Sequence, residues 1–407
     1  MITKIEALNF KCFRYISQEL GNFHVLVGPN ASGKSTFLDI ISFMSDLVKE
    51  GPFFAVKKRA TDFKDLFWRR EGSRFEMAVE VKIPKRLRQF LENKEYQYCR
   101  YELAIGAQNG SEEMGILSET LSLLELPTQE MVQISFFPEP LYPPETILHP
   151  ERQRGWKKLV NKMYGGNDNF YSETGKWDHS FKLGPQKSAL ANLPEDEEKF
   201  PVSTWFKKIL QEGIQALTLN SEAMRWPSPP GLPLRFRTDG SNLPWVIENL
   251  KTKNNDRYQE WIGHIQTALP EIEAIKTIER PEDRHRYIVV TYKNELEVPS
   301  WLVSDGTLRM LALTLLAYLP EMQGIFLVEE PENGIHPRAI QTVYQSLSSV
   351  YDGQVLMATH SPIFLTLTDL EQLLCFGKNN EGAVAIVKGS EHPALRAWRK
   401  EISLGDL

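Results

Sequence analysis

The sequence predicts an α/β fold with a mixed central sheet, an antiparallel β part and an inserted, mainly helical subdomain. Three observations carry that prediction. Residues 28–36, GPNASGKST, stand between a short β-rich run and an amphipathic helical stretch. The last third of the chain alternates strand, helix and strand, which implies parallel pairing. Between the two ends lies a segment rich in Pro and aromatic residues, with several short helical patterns.

Composition bounds what the fold can serve. The 407 residues suit one large domain with an insertion, or two domains. Apolar residues at 42% and charged residues at 25% are ordinary for a globular protein. The net charge of -6 gives no bulk argument for a nucleic-acid binder. Cys12, Cys99 and Cys375 lie far apart and form no metal-ligand spacing, which suggests a reducing compartment. The N-terminal MITKIEALNFKCF lacks the apolar core of a signal peptide, and the most apolar run, MLALTLLAYL, is too short to span a bilayer. A cytoplasmic protein with no membrane association is expected.

The elements follow in order. KIEALNF alternates, and FHVLV is a β-rich run ending at Gly28. The next stretch, STFLDIISFMSDLVKE, carries Phe37, Ile40, Ile41, Met44 and Val48 at helical spacing. RFEMAVEVKI and YCRYELAIG read as strands of an antiparallel sheet. SFFPEPLYPPETILHPERQRGW and RWPSPPGLPLRF read as irregular, with VSTWFKKILQEGIQAL between them as a helix. NLPWVIENLKTK and RYQEWIGHIQTALPEI read as amphipathic helices, and no heptads or solenoid repeats occur. Beyond Ser304 come an apolar helix, the strand GIFLVEE, the helix PRAIQTVYQSLSSV and the strand QVLMATH. A hairpin-like pair, LLCFGK and AVAIVK, closes the pattern around NNEG. The expected division is 1–95, an inserted 96–235 that is partly irregular and helical, and 236–407, with the two ends sharing one sheet.

Residues Gly28 to Ser35 fit G-x-x-x-x-G-K-[ST] in the required strand–loop–helix context. Gly28 and Gly33 let the backbone curl so that N–H groups point inward at phosphate oxygens. The following helix adds its positive end. Lys34 is expected to reach the β- and γ-phosphates of ATP, and Ser35 to offer a hydroxyl to Mg²⁺. Two acids, Glu329 and Glu330, end an apolar strand, where open α/β sheets place ligands. Alternation sends them to different sides, so their expected roles differ: Glu329 holds Mg²⁺ through water and Glu330 polarises the attacking water. His360, ending the next strand, can reach the γ-phosphate or that water. With Lys34, Glu330 and His360 form the expected catalytic set.

A second turn, VSDGTLRMLAL, opens the apolar helix. Ser304 is a good N-cap, and Ser304, Asp305 and Gly306 also bring a hydroxyl, backbone N–H groups and a helix N-terminus together. Since the first loop cradles its own nucleotide, this second anion site can serve the ATP of a neighbouring subunit.

Taken together, GPNASGKST, VSDGTLRMLAL, FLVEEPENGIHP and ATHSP resemble the ABC-type ATPases of the SMC and RecF-like group. More narrowly they resemble the ATPase part of overcoming-lysogenization-defect (OLD) proteins and their stand-alone relatives, as does LRFRTDGSNLPWVIENL. The resemblance spans residues 1–90 and 235–400. It implies an ABC-type P-loop fold. It also implies that Gly28, Pro29, Asn30, Ala31, Ser32, Gly33, Lys34, Ser35 and Thr36 form the Walker A loop, with Glu329 the Walker B acid and Glu330 the catalytic base. Ser304, Asp305 and Gly306 become the signature acting in trans, where the family typically reads LSGGQ and Val303 to Thr307 here reads VSDGT. His360 becomes the switch histidine, and Glu332, Asn333, Gly334 and His336 fall in the D-loop region. Asn9, Phe10 and Lys11 match an early N-F-[KR] element that lies near the nucleotide in relatives. No Q-loop glutamine can be assigned.

The resemblance implies ATP and Mg²⁺ as cofactors and a homodimer through ATP-sandwiched heads, or a higher oligomer. OLD nucleases continue into a Toprim metal-nuclease domain, whereas 47 residues follow His360 here. The chain is therefore expected to be a stand-alone ATPase with a separate effector, commonly a nuclease, in bacterial anti-phage defence or DNA repair. The amphipathic tail HPALRAWRKEISLGDL is either a partner contact or a terminal surface helix. Lys and Arg cluster with Phe and Trp between residues 57 and 88, as a DNA site or as a solvated basic face. Two other readings stand beside this one. The cytoplasmic ATPase of a membrane transporter shares the motifs, against which stand the SDGT signature, EEPENGIHP and the long Pro-rich insertion. An ATP-binding scaffold with little turnover is the other, against which stands Glu330.

Overall fold

Period-two alternation builds the larger sheet. The computed structural model describes residues 1–107, 114–128, 137–150, 153–175, 178–320, 324–350 and 353–396. Its first strands are β1 (Ile2–Phe10), β2 (Phe13–Glu19), β3 (Phe23–Val27), β4 (Arg74–Lys82), β5 (Tyr98–Ala107) and β6 (Met114–Leu124). Next come β7 (Trp156–Met163), β8 (Asp168–Phe170), β9 (His179–Phe181), β10 (Ile214–Leu217), β11 (Ile272–Glu279) and β12 (Arg286–Tyr292). The last are β13 (Glu297–Pro299), β14 (Gly324–Glu329), β15 (Gly353–Ala358), β16 (Leu373–Lys378) and β17 (Val384–Lys388). The described chain forms two compact units. One is Met1–Asn22 with Leu26–Ile214 and Leu374–Arg396, and the other is Phe23–Val25 with Gln215–Leu373. Motif spacing suggested divisions near 95 and 235 instead. The strands after residue 96 extend the sheet that β1 and β4 begin, which keeps them in the first unit.

In the first unit the order is β2-β1-β4-β5-β6-β7-β8-β9, antiparallel throughout. Register places Ile5 opposite Val79, Ala7 opposite Met77, and Met77 opposite Leu103, so one face is apolar. The helix Lys34–Glu50 buries Phe37, Ile40, Ile41, Met44 and Val48, as its spacing predicts. Phe43 of that helix meets Phe75 at 5.4 Å and Phe10 at 6.1 Å between ring centroids. Each ring fully buried this way contributes about 1.5–3 kcal/mol.

The opposite face of the same strands is buried and charged. Arg100 donates to Glu6, to Glu80 at 3.0 Å, to Glu102 at 2.6 Å and to the Ile147 carbonyl at 3.1 Å. Burial alone would raise the Glu6 and Glu102 carboxyls. The Arg100 and Lys4 charges beside Glu6, and the His149 hydrogen bond with the Arg100 charge beside Glu102, hold both below the usual range. A buried carboxylate held low stabilises the fold above its unfolded pKa, and that contribution is lost as pH falls through the folded value.

Residues 96–235 hold more strand than expected. The run 202–217 is a helix Pro201–Lys208, a π-turn Ile209–Gly213 and then strand β10, because Gly213 breaks the helix before the β-branched Ile214. The expected hairpin forms as β16 and β17, with Phe376 opposite Ile386.

In the second unit, β10, β14, β15 and the Phe23–Val25 part of β3 lie side by side in that order. The pair β14 and β15 is parallel, from Gly324 opposite Gly353 to Glu329 opposite Ala358. Ile325–Val328 and all of β15 are buried, the near-continuous apolar pattern of strands covered on both faces. Trp261 is fully buried and donates its indole N–H to Thr314 Oγ1 at 3.0 Å. A separate three-stranded antiparallel sheet, β11-β12-β13, escaped the sequence reading. Among the described residues no helix is long and apolar enough to cross a membrane.

Candidate functional site

The loop that leaves β3 has a backbone few sequences can adopt. Gly28 has φ 150°, and a Cβ there would stand 2.5 Å from the Phe376 carbonyl oxygen. Ala31 (φ 58°) and Gly33 (φ 101°) are both left-handed, which curls the loop. Gly33 precedes the helix Lys34–Glu50, whose first turn has neither a side-chain cap nor an acid. Lys34 is buried and folds back, donating to the carbonyls of Gly28 at 2.8 Å and Pro29 at 3.0 Å. The Ser32 hydroxyl is buried without a hydrogen-bond partner, while Ser35 is exposed. A curled backbone, an orphaned hydroxyl and an uncapped helix end fit a phosphate. Cys12 packs against Gly33, and burial pushes its thiol up.

Among the described residues no cluster of three or more His, Cys, Asp and Glu could hold a metal. Mg²⁺ needs no such cluster, since it takes one or two hard oxygen ligands from a protein and completes its shell with water and phosphate. The Ser35 hydroxyl in the first unit and the exposed Glu329 carboxylate in the second are each a hard oxygen of that kind.

Asn9 and Lys11 both have positive φ, 59° and 50°. Asn9 donates to the carbonyls of Glu71 (3.1 Å) and Arg74 (2.9 Å). Lys11 pairs with Asp39 at 2.6 Å, and Arg59 reaches the other Asp39 oxygen at 2.6 Å. The N-F-[KR] element thus ties the β1–β2 turn to the helix that begins at Lys34. Asp39 was missed; its only signal is an acid on the polar side of an amphipathic helix.

In the second unit, Glu329 ends β14 and Glu330 turns left-handed at φ 46°, its N–H bound to the Ala358 carbonyl at 2.8 Å. Both are exposed. Asn333 donates its side-chain amide to Glu330 Oε2 at 2.5 Å. Glu332 accepts from Thr359 Oγ1 at 2.7 Å and from the His360 N–H at 3.0 Å, so it fixes the backbone that presents the exposed His360. The other Glu332 oxygen is buried with no partner. His336 serves as a helix cap, accepting from the Arg338 N–H.

Ser304 caps the helix Asp305–Leu315, accepting from the Thr307 N–H at 3.2 Å. A Cβ at Gly306 would stand 2.2 Å from the Gly334 carbonyl oxygen, which explains the glycine. Arg309 donates to the Asn333 carbonyl at 3.1 Å. Within this unit, therefore, Ser304–Gly306 and the Glu330–Gly334 turn are packed together. Arg225, 80 residues before Asp305, pairs with it at 2.5 Å. No local pattern could have singled out Arg225 in an irregular Pro-rich stretch. Asn9–Lys11 and Gly28–Thr36 belong to the first unit, and Ser304–Gly306, Glu329, Glu330 and His360 belong to the second.

The basic stretch is partly neutralised. Arg70 pairs with Asp62 and Asp65, and Arg59 with Asp39 and Asp46. Lys85 and Arg86, on the short helix Lys85–Arg88, are exposed beside Phe90. Of the amphipathic tail, residues 397–407 lie outside the described residues.

Residues 167–366 match the family described as "AAA domain, putative AbiEii toxin, Type IV TA system", and residues 1–113 match "AAA ATPase domain". An OLD nuclease from Thermus scotoductus is 33% identical over 92 residues, covering 21% of this chain and 17% of that protein's length. The fold is similar to an SMC head bound to the C-terminal winged-helix domain of ScpA, with a TM-score of 0.54 at 14% identity, over 97% of this chain and 99% of the other. An SMC head with an extended coiled coil, bound to a ScpA domain from Pyrococcus furiosus, gives 0.51 at 12% identity over 95% of each chain. AAA-family models thus match two stretches of this chain, a 92-residue stretch is similar to an OLD nuclease, and the fold is similar to that of SMC heads.

Proposed function

We propose that this chain binds and hydrolyses ATP, and that ATP gates the closure of two copies. The observation that carries the reading is the Glu330 carboxylate. It is exposed at a left-handed turn, held by Asn333, and accompanied by Glu329 and by a His360 that Glu332 fixes. Glu330 takes the proton of the attacking water as general base. Lys34 leaves its loop carbonyls for the β- and γ-phosphates, and the N–H groups of Gly28–Thr36 bind the phosphate oxygens. His360 contacts the γ-phosphate or the water. Mg²⁺, held by Ser35 and Glu329, would neutralise charge on the phosphates. The Ser304 hydroxyl and the backbone N–H groups of Asp305 and Gly306 meet the γ-phosphate of a second copy, so hydrolysis releases the contact.

The likeness to an OLD nuclease supports a separate nuclease effector, with anti-phage defence or DNA repair as the setting. Three free cysteines, two of them buried, support a cytoplasmic location. The exposed Lys85 and Arg86 with Phe90 support a DNA contact, which predicts binding that weakens steeply with salt. Replacing Lys85 and Arg86 with Glu should abolish retention of duplex DNA at low salt; unchanged retention removes this segment from the reading.

The central test is turnover. Glu330→Gln keeps the shape and the Asn333 contact but loses the base. It should bind ATP normally and lose at least about 100-fold in hydrolysis, in keeping with the usual weight of a general base. Hydrolysis at the wild-type rate would mean that Glu330 is not the base. No turnover by the wild-type chain would leave an ATP-binding scaffold.

A further inference from the structure

Asp305 raises an electrostatic problem. It stands at the first position of the helix Asp305–Leu315, where a carboxylate favours the helix end. An incoming phosphate needs that same positive end, and Asp305 would repel it. The residue is 56% exposed at its side chain, so its charge faces outward.

The structure supplies the compensation. Arg225 Nη2 lies 2.5 Å from Asp305 Oδ1 and also donates to the Val303 carbonyl at 3.2 Å. Ser300 Oγ donates to the Arg225 carbonyl at 2.7 Å, fixing the backbone from which the guanidinium extends. The Arg225 side chain is 31% exposed, while its Nε is buried with no hydrogen-bond partner, so the guanidinium sits beside the turn with one donor unused. All of these groups belong to one unit.

We propose that Arg225 is the charge-compensating residue of the Ser304–Gly306 turn. It neutralises Asp305 so that the helix end can accept the terminal phosphate of a nucleoside triphosphate held by a second copy. The assignment rests on the ATP-gated reading above and makes Arg225 a positioning residue. The Ser304 hydroxyl and the backbone N–H groups make the contact. Arg225 keeps Asp305 from opposing it and holds Val303 through its carbonyl.

The test uses the full chain in the Glu330→Gln background, with spectroscopic labels on the two copies and ATP as titrant. Arg225→Ala should raise the ATP concentration for half-closure about tenfold, the size of one uncompensated charge at a partly exposed site. Adding Asp305→Asn should restore the parent midpoint, because the charge to be compensated is gone. Asp305→Asn alone should close at least as readily as the parent, and this variant leaves Arg225 in place should Arg225→Ala fail to fold. Arg225→Lys should fall between parent and Ala. If the Glu330→Gln parent never closes with ATP, the gating reading falls and this assignment with it. If the parent closes and Arg225→Ala closes at the same ATP concentration, only this assignment falls. A double variant as defective as Arg225→Ala would also overturn it, since a purely structural Arg225 could not be rescued by neutralising Asp305.

Discussion

The two candidate phosphate turns among the described residues each open a helix, and they are built in opposite ways. The first, at Gly33–Lys34, has no side-chain cap, no acid in its first turn, a left-handed entry and a buried, unpartnered Ser32 hydroxyl. The second, at Ser304–Asp305, is capped by its own serine, carries an acid, and enters through extended backbone. An uncapped helix end inside a folded chain leaves N–H groups without partners, which a protein tolerates where a ligand supplies them. A capped end has one of those N–H groups satisfied from within and the others still open. On the proposed reading the first turn is built around an anion. The second is stable alone and gains an anion only if a partner delivers one.

The largest expected effect removes the centre of the first turn. Lys34 is the cation buried in that loop, and its ammonium rests on the Gly28 and Pro29 carbonyls. Lys34→Ala should weaken ATP binding on the order of 100-fold, since a charge-assisted contact in a shielded loop is lost. Equilibrium titration with a fluorescent ATP analogue measures this directly. Circular dichroism of Lys34→Ala checks that the fold persists, so that lost binding is read as loss of the phosphate contact. Wild-type affinity in Lys34→Ala would make the two turns equivalent and end the contrast.

The contrast also explains what the sequence could convey. Gly28–Ser35 was legible because each residue is forced locally: Gly28 by a carbonyl where a side chain would go, and Gly33 by its left-handed backbone. Glu329, Glu330 and His360 were legible because strand ends follow from apolar runs of fixed length. The helical face of Lys34–Glu50 was legible for the same reason, since its period is written in Phe37, Ile40, Ile41, Met44 and Val48. Arg225, Arg309 and Asp39 were not. Their roles depend on which residues the fold brings opposite them, and 80 residues of chain separate Arg225 from Asp305. The strand β10 was lost for a different reason. The run 202–217 is helix-like in composition up to Gly213, so one period was extended across a boundary that only the sheet decides. The buried Arg100 network was invisible too, because charged residues at alternate strand positions read as a solvated face until a covering segment is seen.

The smallest expected effect sharpens the comparison at the second turn, by separating the helix cap from the anion contact. Ser304→Ala removes the hydroxyl that accepts from Thr307, so it should cost about 1 kcal/mol of stability, the usual loss for an N-cap. Ser304→Asp keeps a strong cap, because Asp accepts from the same N–H, but it faces an arriving phosphate with a second carboxylate. Thermal melting should therefore fall for Ser304→Ala and hold for Ser304→Asp. ATP-dependent closure in the Glu330→Gln background should show the reverse order, with Asp the more damaging. ATP affinity at the first turn should not change in either variant, since the Gly28–Thr36 residues are intact. If closure follows stability, with Ala worse than Asp, then Ser304 acts only as a helix cap and the second turn has no anion to meet.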